Sequence, residues 1–151
     1  KVGTQSYHEV AENFAINLTA PSVLCNQFVA AYQTVGVEKI IINISSGAGK
    51  SPIEGWSTYC ASKAGLDLFS QVLQAEHPGF SVFSVAPGIV DTPMQSAIRL
   101  ADAKHFPYLD RFKAYKTDGS LVSPREVALK YLSVIEQPQS FHEVLLSVRD
   151  F

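Results

Sequence analysis

Tyr59 and Lys63 stand four residues apart in a run of helical pattern, so their side chains share one helix face. A phenol beside an ammonium is an acid–base pair, because a nearby positive charge favours the phenolate. Phenols ionise near pH 10 when unperturbed, so such a neighbour brings proton transfer closer to working pH. The same spacing also fits a surface tyrosine beside a solvated lysine, so position has to decide. Ser46 lies thirteen residues before Tyr59, just after the apolar run KIIINI at 39–44. A hydroxyl there could hydrogen-bond an oxygen on which negative charge develops. Pro87-Gly88-Ile89-Val90-Asp91-Thr92 follows a second apolar run and offers close backbone approach at Gly88 and a hydroxyl at Thr92.

The segment NISSGAGKS, 43–51, also ends like a phosphate-binding loop. The pattern G-x-x-x-x-G-K-[ST] uses its first glycine to turn the chain around the phosphates. Counting back from Gly49-Lys50-Ser51, that position holds Ile44, whose β-branched side chain disfavours positive φ. The helix due next would have to contain Pro52 and Gly55. The match is incidental, and the serines need another explanation.

Hydrophobic spacing supplies the elements that must position these groups. Val10, Phe14, Ile16, Leu18, Val23, Leu24, Phe28 and Val29 give residues 7–33 a helical apolar side, interrupted at Pro21. Proline cannot donate to the carbonyl four residues back, which is that of Asn17. That oxygen either binds a water or faces solvent at a simple kink. Residues 38–44 read as a strand buried on both faces, because the run is continuously apolar. Residues 57–76 read as a helix packed through Leu66, Phe69, Val72 and Leu73 and stopped by His77-Pro78-Gly79. A short strand follows at 80–86. The stretch 89–122 is mixed, with Phe106, Tyr108, Phe112 and Tyr115 and a turn at Asp118-Gly119. Ser123-Pro124-Arg125-Glu126 opens a helix to about Glu136, with a serine N-cap and a proline in the first position. Residues 142–148 form a last strand. Alternating helices and strands predict an α/β fold with a largely parallel sheet. Ligands of such sheets bind beyond the carboxyl ends of the strands, which is where Ser46 and Pro87 to Thr92 fall.

Composition narrows the function classes. At 151 residues, 46% hydrophobic and 17% charged, the chain fits one globular domain. A net charge of −2 gives no electrostatic case for nucleic acid or an anionic membrane. No apolar run is expected to reach the length of a membrane span. Cys25 and Cys60 form no CxxC pair and are expected as buried thiols of a reducing compartment. His8, His77, His105 and His142 lack metal-ligand spacing, so no metal is expected. The chain opens Lys1-Val2-Gly3 and its single methionine is Met94, which leads us to expect part of a longer protein.

At NISS, YCASK and APGIVDTPM the chain resembles the second half of a short-chain dehydrogenase/reductase, and Asn17 in AINLTAPSVL fits the family's fourth catalytic position. The resemblance covers nearly the whole chain in the family's order. It implies that residues 1–151 are the C-terminal part of one doubly wound Rossmann-type domain, without its Gly-rich dinucleotide-binding half. By this resemblance Tyr59 gives a proton to the substrate's carbonyl oxygen as hydride arrives, and Ser46 polarises that carbonyl. Lys63 supports Tyr59 and holds the nicotinamide ribose. Pro87, Gly88, Ile89, Val90 and Thr92 line the nicotinamide. A proton relay would run from Lys63 to a water on the Asn17 carbonyl. Ser45 competes for the serine role, but the spacing favours Ser46 and leaves Ser45 to cap the loop.

GWSTYCASKAGLDLFSQVLQAE and APGIVDTPMQ look most like the sepiapterin reductase branch, with its bacterial benzil and carbonyl reductase relatives. In that branch Trp56 would border the substrate; the alternative is plain packing on the helix start. Met94 and the segment 95–116 would form a substrate lid, or an ordinary packed loop. One residue departs from the branch: Ser147 stands where its pterin-anchoring aspartate is expected, and Asp150 is out of register. That favours an apolar aromatic ketone or diketone as substrate. The branch implies NADPH, with NAD left open because the residue that separates them lies outside this sequence. It further implies a homodimer through the helices near 7–33 and 57–76 as the default, with the oligomeric state left open; a cytoplasmic location is expected. The rival readings are a non-catalytic dinucleotide-binding regulator on the same fold and a sugar-nucleotide epimerase. Regulators usually lose the tyrosine or the lysine, and epimerases carry a sizeable C-terminal substrate domain.

Overall fold

Alternation along two strands sets the architecture. On β1 (Ile40–Ile44) and β2 (Ser81–Ala86) successive side chains point to opposite faces of a sheet. Ile41 and Val82 join Cys25, Val29, Leu73 and Phe80 on one face. Ile40, Ile42, Phe83 and Val85 meet Val127, Val134 and Val148 on the other. The computed structural model, which describes residues 1–103 and 106–151, is thus a three-layer α/β arrangement. β3 (Leu145–Ser147) completes the sheet, in the order β1-β2-β3 with both pairs parallel. The register sets Ile42 opposite Phe83 and Ala86 opposite Ser147, so the carboxyl ends of all three strands share one edge.

The first face is covered by α2 (Ala20–Tyr32) and α3 (Ser57–Glu76), and α1 (Tyr7–Phe14) packs on α3. A π turn at Ala15–Thr19 joins α1 to α2. Pro21 therefore does not interrupt the helix as expected: the π turn takes up the missing N–H and the rod runs on. This 26-residue rod also corrects the expectation about membrane spans. Its mean hydropathy of 1.2 makes it long and apolar enough to cross a membrane, by length and composition only. Here it lies against α3 and the sheet, with Cys25 and Val29 in the core. Ile16, Val23 and Leu24 are exposed instead of packed, as is Val72 on α3; Ile16 and Leu24 border the open edge of β1, where no further strand among the described residues covers them.

The other face carries α6 (Pro124–Glu136), whose start is fixed by a reciprocal capping box between Ser123 and Glu126. The mixed segment resolves into α4 (Pro93–Arg99) and α5 (Leu109–Thr117). A separate cluster of Phe106, Leu109 and Phe112 packs there against Ile53 and Trp56. The strands are shorter than expected: β1 starts at Ile40, β2 at Ser81, and β3 keeps three residues, since pairing lasts only where a partner runs alongside. β1 is not buried on both faces either. It is an edge of this sheet, and Ile44 is 51% exposed. Cys25 is a buried free thiol, while the thiol-bearing Cys60 is only half-buried.

Candidate active site

Ser46 leaves β1 in extended backbone, and the ladder continues one residue past the strand through Ser45 N–H to the Val85 carbonyl at 2.9 Å. A 3₁₀ turn at Gly47–Gly49 then folds the chain onto α3. Gly49 makes this possible: a Cβ there would stand 2.8 Å from Asp67 Oδ2 and 3.0 Å from the Lys63 carbonyl carbon. Backbone that close to a helix admits only glycine. The glycines that mimic a phosphate loop thus serve close packing of the serine loop on the helix of Tyr59 and Lys63. Ser46 Oγ accepts the Ala48 N–H at 3.2 Å, which leaves its own proton free to donate. The capping hydroxyl is therefore that of Ser46 and not, as expected, that of Ser45. Ser45 Oγ is buried without a partner among the described residues.

Lys63 is 8% exposed, so the solvated-lysine alternative does not hold. Its Nζ donates to the Ile44 carbonyl at 2.8 Å and lies 5.8 Å from the centroid of the Tyr59 ring. Burial pushes the ammonium below its ordinary pKa, and the Asp67 charge acts in the opposite sense. Asn17 sits in the π turn with its side-chain amide donating to the Asn13 carbonyl at 3.1 Å. Its own carbonyl can receive no N–H from Pro21.

Asn17, Ser46, Tyr59 and Lys63 all line one cleft of about 820 Å³. Pro87, Gly88, Ile89, Val90 and Thr92 line it as well. Gly88 turns the chain at φ +76°, a conformation that suits glycine. The loop is tied down by Asp91 N–H to the Val122 carbonyl, Val122 N–H to the Ile89 carbonyl, and an ion pair between Lys116 and Asp91 at 2.7 Å. Trp56 and Met94 reach the cleft too. Trp56 stacks on Phe106 with centroids 5.2 Å apart and meets Tyr59 edge-on at 5.6 Å, so it packs the helix start and lines the cleft at once. The proposed lid segment 95–116 brings Tyr108, Phe112 and Tyr115 to the same cleft; its residues 104 and 105, with His105, lie outside the described residues. Ser147 lines the cleft and Asp150 does not.

A glycine turn without a side chain, a phenol, a buried ammonium and a serine hydroxyl fit the ribose–nicotinamide end of a dinucleotide together with a carbonyl compound. Among the described residues no cluster of three or more His, Cys, Asp or Glu side chains is placed to hold a metal. Spacing did not disclose Gln95, which is 8% exposed, borders the cleft and buries Oε1 without a partner among the described residues. Nor did it disclose Arg111 and Arg149, which also line the cleft. Gln95 and Arg111 fall in the segment 95–116 expected as a lid, but no spacing singles out either; Arg149 has only its nearness to Ser147 to point to it.

Residues 2–103 match the family described as short chain dehydrogenase. Benzil reductase ((S)-benzoin forming) of Bacillus subtilis is 38% identical over 141 residues, 91% of this chain and 58% of that protein. Sepiapterin reductase of Mus musculus is 37% identical over 130 residues, 85% of this chain and 49% of that protein. The crystal structure of the KRED1-Pglu enzyme superposes with a TM-score of 0.81 at 29% identity, over 88% of this chain and 55% of that one. The chain thus spans about half the length of the relatives it matches.

Proposed function

The chain belongs to the short-chain dehydrogenase family, and on that premise we propose that it is the site-bearing second half of an NADP-dependent carbonyl reductase domain. The observation that carries the proposal is the convergence of Ser46, Tyr59 and Lys63 on one cleft with the Pro87–Thr92 loop. When bound, the nicotinamide supplies hydride to the carbonyl carbon. Tyr59 gives its proton to the carbonyl oxygen. Ser46, its lone pair already engaged by Ala48, donates its hydroxyl proton in a hydrogen bond to the same oxygen. Lys63 provides the positive charge beside Tyr59 and a donor for the ribose. Asn17 offers the carbonyl that holds a relay water. NADPH as the donor follows the resemblance to the sepiapterin and benzil reductases.

The substrate is an aromatic ketone or diketone. Trp56, Tyr108, Phe112 and Tyr115 give the cleft an aromatic wall, against which a planar apolar ring gains contact. No described residue lining the cleft is a carboxylate, and the position favoured for a pterin anchor is Ser147. The assembly is a homodimer through the rod and α3, supported by Val23 and Leu68, which are 48% and 62% exposed. The compartment is the cytoplasm, consistent with two free thiols.

NADPH oxidation by the full natural chain, with benzil, sepiapterin and a simple aldehyde in parallel, tests this reading. Benzil turnover above that of sepiapterin supports it. Cofactor binding without turnover of any of them would instead indicate the non-catalytic regulator.

A further inference from the structure

Among the described residues one carboxylate is buried, that of Asp67 at 5% exposure. Acids are almost never taken out of water unless something compensates them. Asp67 stands four residues after Lys63 on α3, one turn further along the same helix face. Its Oδ1 accepts the Ser84 hydroxyl from β2 at 2.7 Å, which gives the buried acceptor a partner. Its Oδ2 faces the serine loop at Gly49, whose N–H in turn donates to the Ser46 carbonyl at 3.0 Å. One side chain therefore touches the central strand and the serine loop, and shares its helix face with Lys63.

We propose that Asp67 is a positioning residue for the site: anchored on β2 through Ser84, its carboxylate fixes the serine loop and the Lys63 turn of α3 relative to each other. Its charge has a second consequence. Lys63 faces the Tyr59 ring on its own helix and the Ile44 carbonyl of β1, neither of which carries a formal charge. Burial disfavours its ammonium, and Asp67 is the charged group that opposes this. Asp67 itself faces the uncharged Ser84 of β2 and Gly49 of the loop. The carboxylate thus acts through Lys63 and Ser46, without reaching the substrate. What those two groups do rests on the reductase reading above; where Lys63 titrates does not.

The test uses Asp67→Asn, which keeps size and an acceptor but removes the charge, beside Ser84→Ala, which keeps the charge but removes the anchor. Competitive acetylation of Lys63 across pH, read by mass spectrometry, reports directly where its amine becomes neutral. In Asp67→Asn the curve moves to lower pH, and kcat for the carbonyl substrate falls about ten- to a hundredfold, as expected when a site loses its geometry. In Ser84→Ala the acetylation curve stays at wild type while the denaturation midpoint falls. An Asp67→Asn protein with a lowered midpoint but wild-type acetylation and kcat–pH curves would reduce Asp67 to a structural tie and overturn the proposal. Should Asp67→Asn not fold, Asp67→Glu keeps the charge on a longer arm: kcat falls with little change in the acetylation curve, and wild-type kcat contradicts positioning. If the wild type reduces no carbonyl at all, the acetylation curves still decide whether Asp67 sets the charge of Lys63, and a wild-type curve in Asp67→Asn overturns that part on its own, so the two readings fail separately.

Discussion

The two flanks of β1 differ sharply. Towards β2 the ladder runs in register from Ile40–Ser81 to Ile44–Val85, and buried polar groups of both strands are tied to α3. Asn43 donates to Ser70, and Ser84 to Asp67. On the opposite flank Ile16, Leu24, Phe28, Ile42 and Ile44 line an open apolar groove of about 490 Å³. An unpaired strand edge beside apolar surface is a surface for further pairing. The comparison teaches that the cleft is built where β1 is paired and its polar groups are tied to α3. The groove flank reaches it only at Asn17, Ile44 and Lys63, which line both hollows.

Substitutions on the two flanks can break that comparison. The largest stability effect belongs to Phe83→Ala, which empties a 4% exposed position and costs about 3–5 kcal/mol by denaturant unfolding. Ser46→Ala lowers kcat about 10²–10³-fold, the scale for removing one donor to a developing oxyanion, while stability falls only by the lost cap on Ala48, about 1 kcal/mol. A loss of stability in Ser46→Ala comparable to that of Phe83→Ala would show that the serine serves the fold rather than the reaction. Tyr131 gives a smaller effect, visible in pH. Its phenol donates to the Val85 carbonyl at 2.9 Å, and burial raises its pKa from 10 to about 12. The folded state therefore holds this proton more tightly than the unfolded one. The resulting stability is present below pH 10 and is lost as pH rises to about 12. Tyr131→Phe is less stable than wild type at neutral pH, and the difference narrows through that window. Least of all, Leu24→Ala in the groove, at 65% exposure, changes stability within about 0.5 kcal/mol. A cost near that of Phe83→Ala would mean the groove is as load-carrying as the core.

Much of the site was legible because its signals are local. The Tyr59–Lys63 spacing needs only a helix, and the run before Ser46 needs only a strand. The caps at Ser123 and the stop at His77 fixed α6 and α3 at the expected ends. What escaped depends on neighbours distant in sequence. An apolar run cannot say which side lacks a partner, so the exposure of Ile44 was invisible. Pro21 announces a lost hydrogen bond but not the π turn that absorbs it. The choice between Ser45 and Ser46 as the capping hydroxyl turned on backbone direction after the strand. Asp67 and Gln95 look like ordinary helix polars until tertiary contacts bury them.

The most direct test of the account is single-turnover oxidation of NADPH by benzil in the full natural chain, wild type against Tyr59→Phe, at matched circular dichroism. Tyr59→Phe keeps the ring that packs on Trp56 and removes only the proton donor. The account predicts hydride transfer slowed about 10²–10⁴-fold with cofactor binding retained. A variant as fast as wild type would contradict the assignment of Tyr59 as the general acid, and with it the central claim.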